Sequence, residues 1–490
     1  MPGPSPIPAP TAQSTRDRDA ASSCYNCRRR RLRCDRSRPS CRKCWVAGVE
    51  CLGYGTVLRW ANGPALRGNL VAQLSSVSVS GFLSISPALR DPLVNGLNQR
   101  ARHYLHHFAT AVCRDLVSID QHDQNPFRAI LPLAVEFDFL EAIIVATGAM
   151  HLATLHGYQD QPVGRRELID ALVAKDKAIR LLRCAVDRMT PANQAMVLAA
   201  TVFLINLDLI DSGKGSWQVH IDAASKLMSS LHGPAPPRLD GSLMSLVDAI
   251  AADCLTYRVL GSAISGFVVE SWAEHDLADL FSVLKRAEPY SYHCCPPGVL
   301  QITLSASRLC SGHGGETNAQ TRIDIARSLL QLARSLDVLE WVYNIRGLSA
   351  HDDLDVRVSL ASAHRATACL YIVLAVPEAA EGSVSAAMLV QEVLGHLANV
   401  PIDHVLLKGT VWPTFVAGAQ TDDLSQREWC IERMHGVWAT NPWICPWGYV
   451  RTAIEMLHRL WEARDREPAG RRKTNWLQQL KSMRDKCLIV

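Results

Sequence analysis

The sequence lacks the local frames of several large enzyme classes. It has no G-x-S-x-G elbow and no H-E-x-x-H pair, which excludes the locally written serine hydrolase and zinc protease sites. Ser212-Gly213-Lys214-Gly215-Ser216 has lysine and serine without the G-x4-G-K-[ST] frame of a phosphate loop, and Gly312–Gly315 follows no strand. Met1–Pro10 has neither the charged head nor the apolar run of a secretory signal, so no leader is expected. The longest apolar stretches, such as Ala195–Ile205 and Ala366–Val376, fall short of a membrane span, and no membrane partner is expected. Runs of period-2 alternation are rare and short, which argues against a sheet-built body. No fixed-period repeat marks a solenoid, and no sustained heptad register follows Cys51.

Acidic residues are scarce in one place. Between Cys24 and Cys51 nine Lys/Arg face two Asp/Glu, a local balance of +7 in a chain whose net charge is +4, so the remaining residues carry −3. A basic head on a mildly acidic body points to a polyanion as the partner of the head. The same segment holds six of the 16 cysteines, while the other ten are scattered. In a reducing cytosol or nucleus such density means metal rather than disulfides.

The spacing is Cys24-x2-Cys27-x6-Cys34-x6-Cys41-x2-Cys44-x6-Cys51, two halves that each read C-x2-C-x6-C. Two separate tetrahedral sites need eight ligands; six thiolates suffice if two of them bridge. Symmetry makes Cys24 and Cys41, which each open a half, the natural bridges. One Zn2+ then takes Cys24, Cys27, Cys34 and Cys41, and the second takes Cys24, Cys41, Cys44 and Cys51. A segment this short has almost no apolar core, so metal binding supplies most of its folding free energy. The alternatives are a metal-free cysteine-rich loop and a zinc module used only for protein contacts. Tyr25 and Trp45 each follow a cysteine and are expected to cover the cluster or pack on the backbone.

These residues resemble the fungal zinc binuclear cluster regulators. The match runs from Cys24 to about Gly53. It includes the basic run Arg28-Arg29-Arg30-Arg31-Leu32-Arg33, the tripeptide Cys34-Asp35-Arg36, and Pro39 in the connecting loop. The resemblance implies that a first short helix enters the major groove of double-stranded DNA and reads a CGG-like triplet. The family usually has lysine four residues after the second cysteine; here Arg31 stands there, and arginine pairs bidentately with guanine O6 and N7. Arg30 is the neighbouring candidate for base contact. Arg28, Arg29, Arg33, Arg36, Arg42 and Lys43 are expected on phosphates, which position without specifying. The basic run also suits nuclear import, and the nucleus is the expected compartment.

Beyond the cluster, the chain is expected to be an all-α body. Candidate helices are Leu97–Ser118, Phe137–Leu155, Arg166–Met189, Asn193–Asp211, Ser216–Leu231, Ser242–Ala263, Asp276–Arg286, Ala319–Tyr343, Leu354–Val376, Val384–Ala398, Gln426–Val437, Trp447–Arg466 and Asn475–Lys486. Breaks are expected at Gly233–Pro237 and Cys295–Gly298. The organisation read from this is a disordered segment 1–22, the zinc module 23–53, a linker 54–96, a helical domain 97–466, and a C-terminal helix and tail 467–490.

Three passages resemble the helical regulatory domain of the acriflavine-sensitivity-regulator type. They are Cys51-Leu52-Gly53-Tyr54-Gly55 with Leu58 and Trp60; Tyr104 through Asn125-Pro126-Phe127 and Leu131-Pro132 to the helix Leu140–Leu152; and Trp412–Ala419 with Arg427 and Trp429. The resemblance implies a domain that receives signals or contacts the transcription machinery, in a regulator of target genes such as a secondary-metabolite cluster. Monomeric binding and homodimerisation through the body both stay open.

On their residues alone, Trp412, Phe415, Trp429, Trp438, Trp443 and Trp447 read as packing before they read as a ligand pocket. His103, His106 and His107, the run His293-Cys294-Cys295, and the set Cys430, His435 and Cys445 read as surface or core residues rather than metal ligands. An enzyme is one rival class, and an RNA-binding or purely scaffolding protein is another. The uninterrupted basics of Arg28–Arg31 suit a helix on a duplex groove better than the aromatic-interleaved surface that grips single strands.

Overall fold

The structure is a computed structural model of the whole chain. It describes residues 23–24, 26–27, 30–37, 40–49, 51, 97–121, 123–157, 161–231, 241–265, 274–311, 318–380, 385–439, 447–466, 475–482 and 486–490. The expected disordered segment 1–22 and linker 54–96 lie outside them, as do Tyr25, Arg28, Arg29, Pro39, Trp443 and Cys445. The chain divides into two compact units, Met1–Arg90 and Asp91–Val490.

In the first unit the described part is the cysteine cluster with one short helix, α1 (Arg42–Val46). The second unit is all helix; no strand occurs among the described residues. It opens with α2 (Gln99–His107), N-capped by Asn98, whose side chain accepts the Ala101 amide at 2.9 Å. A π-helical turn, Phe108–Val112, carries α2 on to Asp115. Next come α3 (Asp138–Leu155), α4 (Pro162–Asp187), α5 (Gln194–Asp211), α6 (Trp217–Leu231), α7 (Gly241–Ser265) and α8 (Glu274–Ala287). The second half holds α9 (Pro297–Ser311), α10 (Ala319–Ser335), α11 (Val338–Asn344), α12 (Leu354–Ala375) and α13 (Ala386–Ala398). The last four are α14 (Val411–Gln420), α15 (Leu424–Ala439), α16 (Tyr449–Asp465) and α17 (Trp476–Ser482).

Three helices are apolar all round and sit at the centre, as such helices must. On α5 every residue from Ala195 to Ile210 is buried; on α7 the same holds from Leu246 to Ser265. The third is α12, packed among α9, α10, α13 and α14. On α4, by contrast, Gly164, Glu167, Ala171 and Ala178 are the buried residues, at spacings of three, four and seven. That narrow stripe of mostly small side chains lets α4 lie close along α3.

The structure corrects the sequence reading at several points. Helices α3, α5 and α12 are long and apolar enough to cross a membrane, although the uninterrupted apolar runs within them looked too short. Their apolar windows are 78%, 89% and 78% buried inside the protein, so their surface faces other helices. Polar residues such as Thr147, His151 and Asn206 interrupt those runs and find partners inside the body. The expected helix Ala319–Tyr343 is two helices, because Leu336 is extended and the Asp337 carboxylate caps α11 at the Glu340 amide, 2.9 Å away. Cys295–Gly298 was expected as a break alone, yet Pro297 is the first residue of α9, the position where a missing N–H costs nothing. Pro413 sits in the first turn of α14 for the same reason.

The last described residues, 486–490, close the body from inside. Cys487, Leu488, Ile489 and Val490 are all buried. The Leu488 amide donates to the Gly213 carbonyl at 2.8 Å, and the Trp217 indole donates to the Lys486 carbonyl at 3.2 Å. Gly213 has a φ of +70°, and a Cβ there would stand 2.7 Å from the Leu488 carbonyl oxygen. The tail and the turn after α5 therefore depend on glycine at this position.

Candidate metal centre and nucleic-acid interface

The six cysteines form a sulfur-only cluster in which Cys24, Cys27, Cys41 and Cys44 are buried, while Cys34 and Cys51 pack against them half-exposed. Two groups of four sulfurs lie within 4.8 Å of one another: Cys24, Cys27, Cys34 and Cys41, and Cys24, Cys41, Cys44 and Cys51. The groups share Cys24 and Cys41, whose Sγ atoms are 3.5 Å apart. Cys27 Sγ is 3.6 Å from Cys41 Sγ, and Cys44 Sγ is 3.8 Å from Cys24 Sγ. A tetrahedral zinc with Zn–S bonds of about 2.3 Å spaces its sulfurs by about 3.8 Å. The donor set therefore fits zinc in both chemistry and size. Burial is the foremost cause that raises the Cys24 and Cys44 thiol pKa values, so a cation is needed to hold such packed sulfurs as thiolates.

Backbone amides repeat the pattern of the two halves. The Cys27 amide points at Cys24 Sγ at 3.4 Å and the Cys44 amide at Cys41 Sγ at 3.3 Å. Likewise the Cys24 amide faces Cys34 Sγ, and the Cys41 amide faces Cys51 Sγ, both at 3.4 Å. Each half then ends its helical turn in the same way. Leu32 N–H donates to the Cys27 carbonyl at 2.9 Å, and Val49 N–H to the Cys44 carbonyl at 3.0 Å. These six-to-one bonds define Schellman caps, which require a left-handed residue just before the donor. In the second half that residue is Gly48, at φ +65°; in the first it is Arg31, at φ +53°. Arg36 is also left-handed, at φ +59°, and the residue 17 positions on in the sequence is Gly53.

Asp35 ties the end of the first half to the start of the second. Its carboxylate accepts the amides of Arg42 at 3.0 Å and Lys43 at 3.3 Å, and the Ser37 hydroxyl at 2.5 Å. These bonds, the Ser37 one foremost, hold its pKa below the usual carboxylate range. The negative charge sits at the N-terminus of α1, where the helix dipole favours it.

Of the expected DNA contacts, Arg30, Arg31, Arg33, Arg36, Arg42 and Lys43 are all exposed. No ion pair involves these six among the described residues, so their charge is presented to solvent. Trp45 overturns its expectation: it is 75% exposed, too open to serve as a buried cover for the cluster. The sulfur cluster replaces an apolar core here, leaving no core for the indole to join. Sequence reading gave Asp35 no role; its signal was an acidic residue seven positions before a helix start.

In the body, the aromatic set resolves into packing: Trp412, Phe415 and Trp447 are buried, and Trp429 and Trp438 half-buried. His103 and His106 are exposed, whereas the His107 Nε2 meets His151 Nδ1 at 2.8 Å and His151 in turn meets Asp115 at 3.0 Å. Cys294, Cys295 and Cys430 are buried, and burial raises each thiol's pKa. The two cysteine sets above are the metal-ligating groups found among the described residues.

Comparison with known proteins agrees with this geometry. Residues 22–61 match the fungal Zn(2)-Cys(6) binuclear cluster domain, and residues 103–490 match the fungal specific transcription factor domain. The chain is 44% identical to the acriflavine sensitivity control protein acr-2 of Neurospora crassa, over 96% of this chain and 97% of that one. It is also 22% identical to a phomenoic acid biosynthesis cluster-specific transcriptional regulator of Leptosphaeria maculans, over 44% of this chain and 42% of that one. No solved structure matches. With a zinc-binding, DNA-binding module at one end and the regulatory domain over most of its length, the chain belongs to the fungal-specific transcription factors of the Zn(2)-Cys(6) type.

Proposed function

We propose that two zinc ions occupy the cluster, with Cys24 and Cys41 each bridging both. The observation that carries this is the pair of four-sulfur groups sharing those two residues. Cys27 and Cys34 complete one ion's ligands, Cys44 and Cys51 the other's. Arg31 and Arg30 read the guanines of a CGG-like triplet in the major groove, where a bidentate arginine contact discriminates by about 1–3 kcal/mol. Arg28, Arg29, Arg33, Arg36, Arg42 and Lys43 hold the phosphates. The protein acts in the nucleus, and its helical body passes signals to the transcription machinery.

Two sets of target genes are in view. A secondary-metabolite gene cluster is supported by the 22% relative over part of the chain. Control of acriflavine sensitivity is supported by the 44% relative over nearly all of it, and we favour that reading.

The test is a titration of the zinc-loaded protein with a CGG duplex, a scrambled duplex and a single-stranded RNA, with and without chelator. Zinc-dependent preference for the CGG duplex supports the reading, and the stoichiometry tells one copy from two. Equal, salt-sensitive binding to all three makes the basic run a nonspecific patch and removes it.

A further inference from the structure

The second half of the zinc module turns an apolar face to solvent. Cys44 of α1 points into the sulfur cluster and is 1% exposed, so the rest of the helix faces away from it. Trp45 is 75% exposed, Val46 73% and Val49 41%. Such exposure is unusual for tryptophan, which is highly buried on average and has a large apolar surface to lose. Trp45 and Val46 stand three and four residues after Arg42, the spacings that make neighbours on one helix face. The apolar patch is therefore continuous with the Arg42 guanidinium, and Lys43 lies next to it in the same turn. Both cations are exposed, and neither is in an ion pair among the described residues.

The fold does not ask for this face. Both halves share one cysteine spacing and one turn-closing bond, from Leu32 to Cys27 and from Val49 to Cys44. At the two positions after the second cysteine of each half, the first half has Arg28-Arg29 and the second has Trp45-Val46. Equivalent positions thus carry charge in one half and apolar surface in the other.

Charge decides what covers the patch. An apolar helix of a partner protein would have to lie beside two uncompensated cations, in a segment whose local balance is +7. A surface that is anionic and apolar by turns suits both features. The backbone of a DNA duplex is such a surface: phosphates alternate with deoxyribose rings whose C–H faces are apolar, while the faces of the bases are stacked inside. A phosphate at Arg42 or Lys43 brings a sugar next to Trp45.

We infer that the Trp45 indole, with Val46 at its edge, packs on a deoxyribose of the strand whose phosphates Arg42 and Lys43 hold. This rests on the reading that the module grips duplex DNA. The contact adds affinity without choosing a sequence, because every nucleotide offers the same sugar.

The test uses the full zinc-loaded chain with the CGG duplex and the scrambled duplex, titrated at several salt concentrations. A hydroxyl-radical footprint reads deoxyribose exposure, and a dimethyl sulfate footprint reads guanine N7. Trp45→Ala should weaken binding to both duplexes by one common factor, about five- to tenfold. It should leave the salt slope unchanged and expose one or two sugars while guanine protection stays. Trp45→Phe should recover part of both the affinity and the sugar protection. Trp45→Arg, which copies the first half, should steepen the salt slope by about 0.9 and leave those sugars exposed. Unchanged affinity and footprint in Trp45→Ala overturns the inference and gives the face to a protein partner. A shallower salt slope in that variant does so too, since Trp45 would then act only by holding Arg42; so does loss of zinc, which would make the indole structural. Absence of CGG preference with the sugar protection intact would remove the guanine reading and leave Trp45 on the backbone. Failure of the wild-type chain to bind either duplex removes both.

Discussion

Replacing Arg31 by glycine should separate the stability of the zinc module from its reading of DNA. Arg31 holds a left-handed backbone, at φ +53°, that its counterpart Gly48 adopts freely. For a residue with a Cβ that conformation costs about 1–2 kcal/mol. Glycine regains it but loses about 0.5–1 kcal/mol of chain entropy on folding. The net effect of Arg31→Gly on the module is thus zero to about 1.5 kcal/mol in its favour, up to roughly twelvefold in zinc retention. The same change removes the side chain proposed to meet guanine, worth about 1–3 kcal/mol, or roughly five- to 150-fold in preference for the CGG duplex. Chelator competition reads the first quantity and duplex titration the second. The reciprocal change, Gly48→Ala, should weaken zinc retention by about 1 kcal/mol through the backbone alone, because a Cβ there meets nothing within 4 Å. If Arg31→Gly releases zinc more readily and loses DNA in parallel, Arg31 is structural and the reasoning fails. If CGG preference survives untouched, the reader is another residue.

Three further outcomes are expected. Cys41→Ser removes a shared sulfur and should cost both ions, whereas Cys34→Ser should leave the second site filled; metal analysis of the two purified variants distinguishes this from independent sites. Removing Cys487–Val490 strips three fully buried apolar side chains, worth roughly 4–9 kcal/mol before the entropy of ordering them, so the helical body should lose its cooperative thermal transition in calorimetry. Burial holds the His364 imidazole down to about 4, against about 6.5 in the unfolded chain. The unfolded chain therefore takes up more protons between those values, and stability is full above about pH 6.5 and falls as pH drops towards 4. His364 alone should cost about 2 kcal/mol at pH 5, and His364→Gln should flatten the urea midpoint against pH in that window.

How far the sequence could be read depends on the range of the forces involved. Chelation is local: six thiolates within 28 residues fix a cluster whatever surrounds it, so its ligand groups follow from spacing. Helix periodicity is also local, and α3, α5, α7 and α12 stand close to where it put them. Boundaries set by a single side chain were harder. Asp337 splits a continuous pattern because its carboxylate finds the Glu340 amide, and Pro297 starts a helix where proline usually ends one. What needed the third dimension was not legible at all. The tail at Leu488 pairs with Gly213, 275 positions earlier, and Asp253 stands out only once its Oδ2 is seen buried without a hydrogen-bond partner.

The two halves of the cluster offer a way to find function by subtraction. The same cysteine spacing, the same amide-to-sulfur contacts and the same six-to-one turn bond give both halves one backbone. Residues at matching positions therefore answer the same conformational demand. Where they agree, as with apolar Leu32 and Val49 closing the two turns, the demand is structural. Where they differ, the fold is not the cause. At the left-handed position the second half has glycine, the residue the backbone asks for, and the first half has Arg31. The pair Arg36 and Gly53 repeats the substitution in the sequence. A strained backbone persists only where something else holds it in place, and among the described residues of the module Arg31 and Arg36, both exposed, share that property. This asymmetry supports the proposal that the first half supplies the base-reading arginines, with Arg42 and Lys43 of the second half left to hold phosphates. Grafting the first half's Arg28–Arg33 into the second half's Trp45–Glu50 should create a second basic face at a zinc-retention cost of about 1–2 kcal/mol, set by arginine replacing Gly48. Unchanged salt dependence of duplex binding in that graft would show that the two halves are not interchangeable scaffolds.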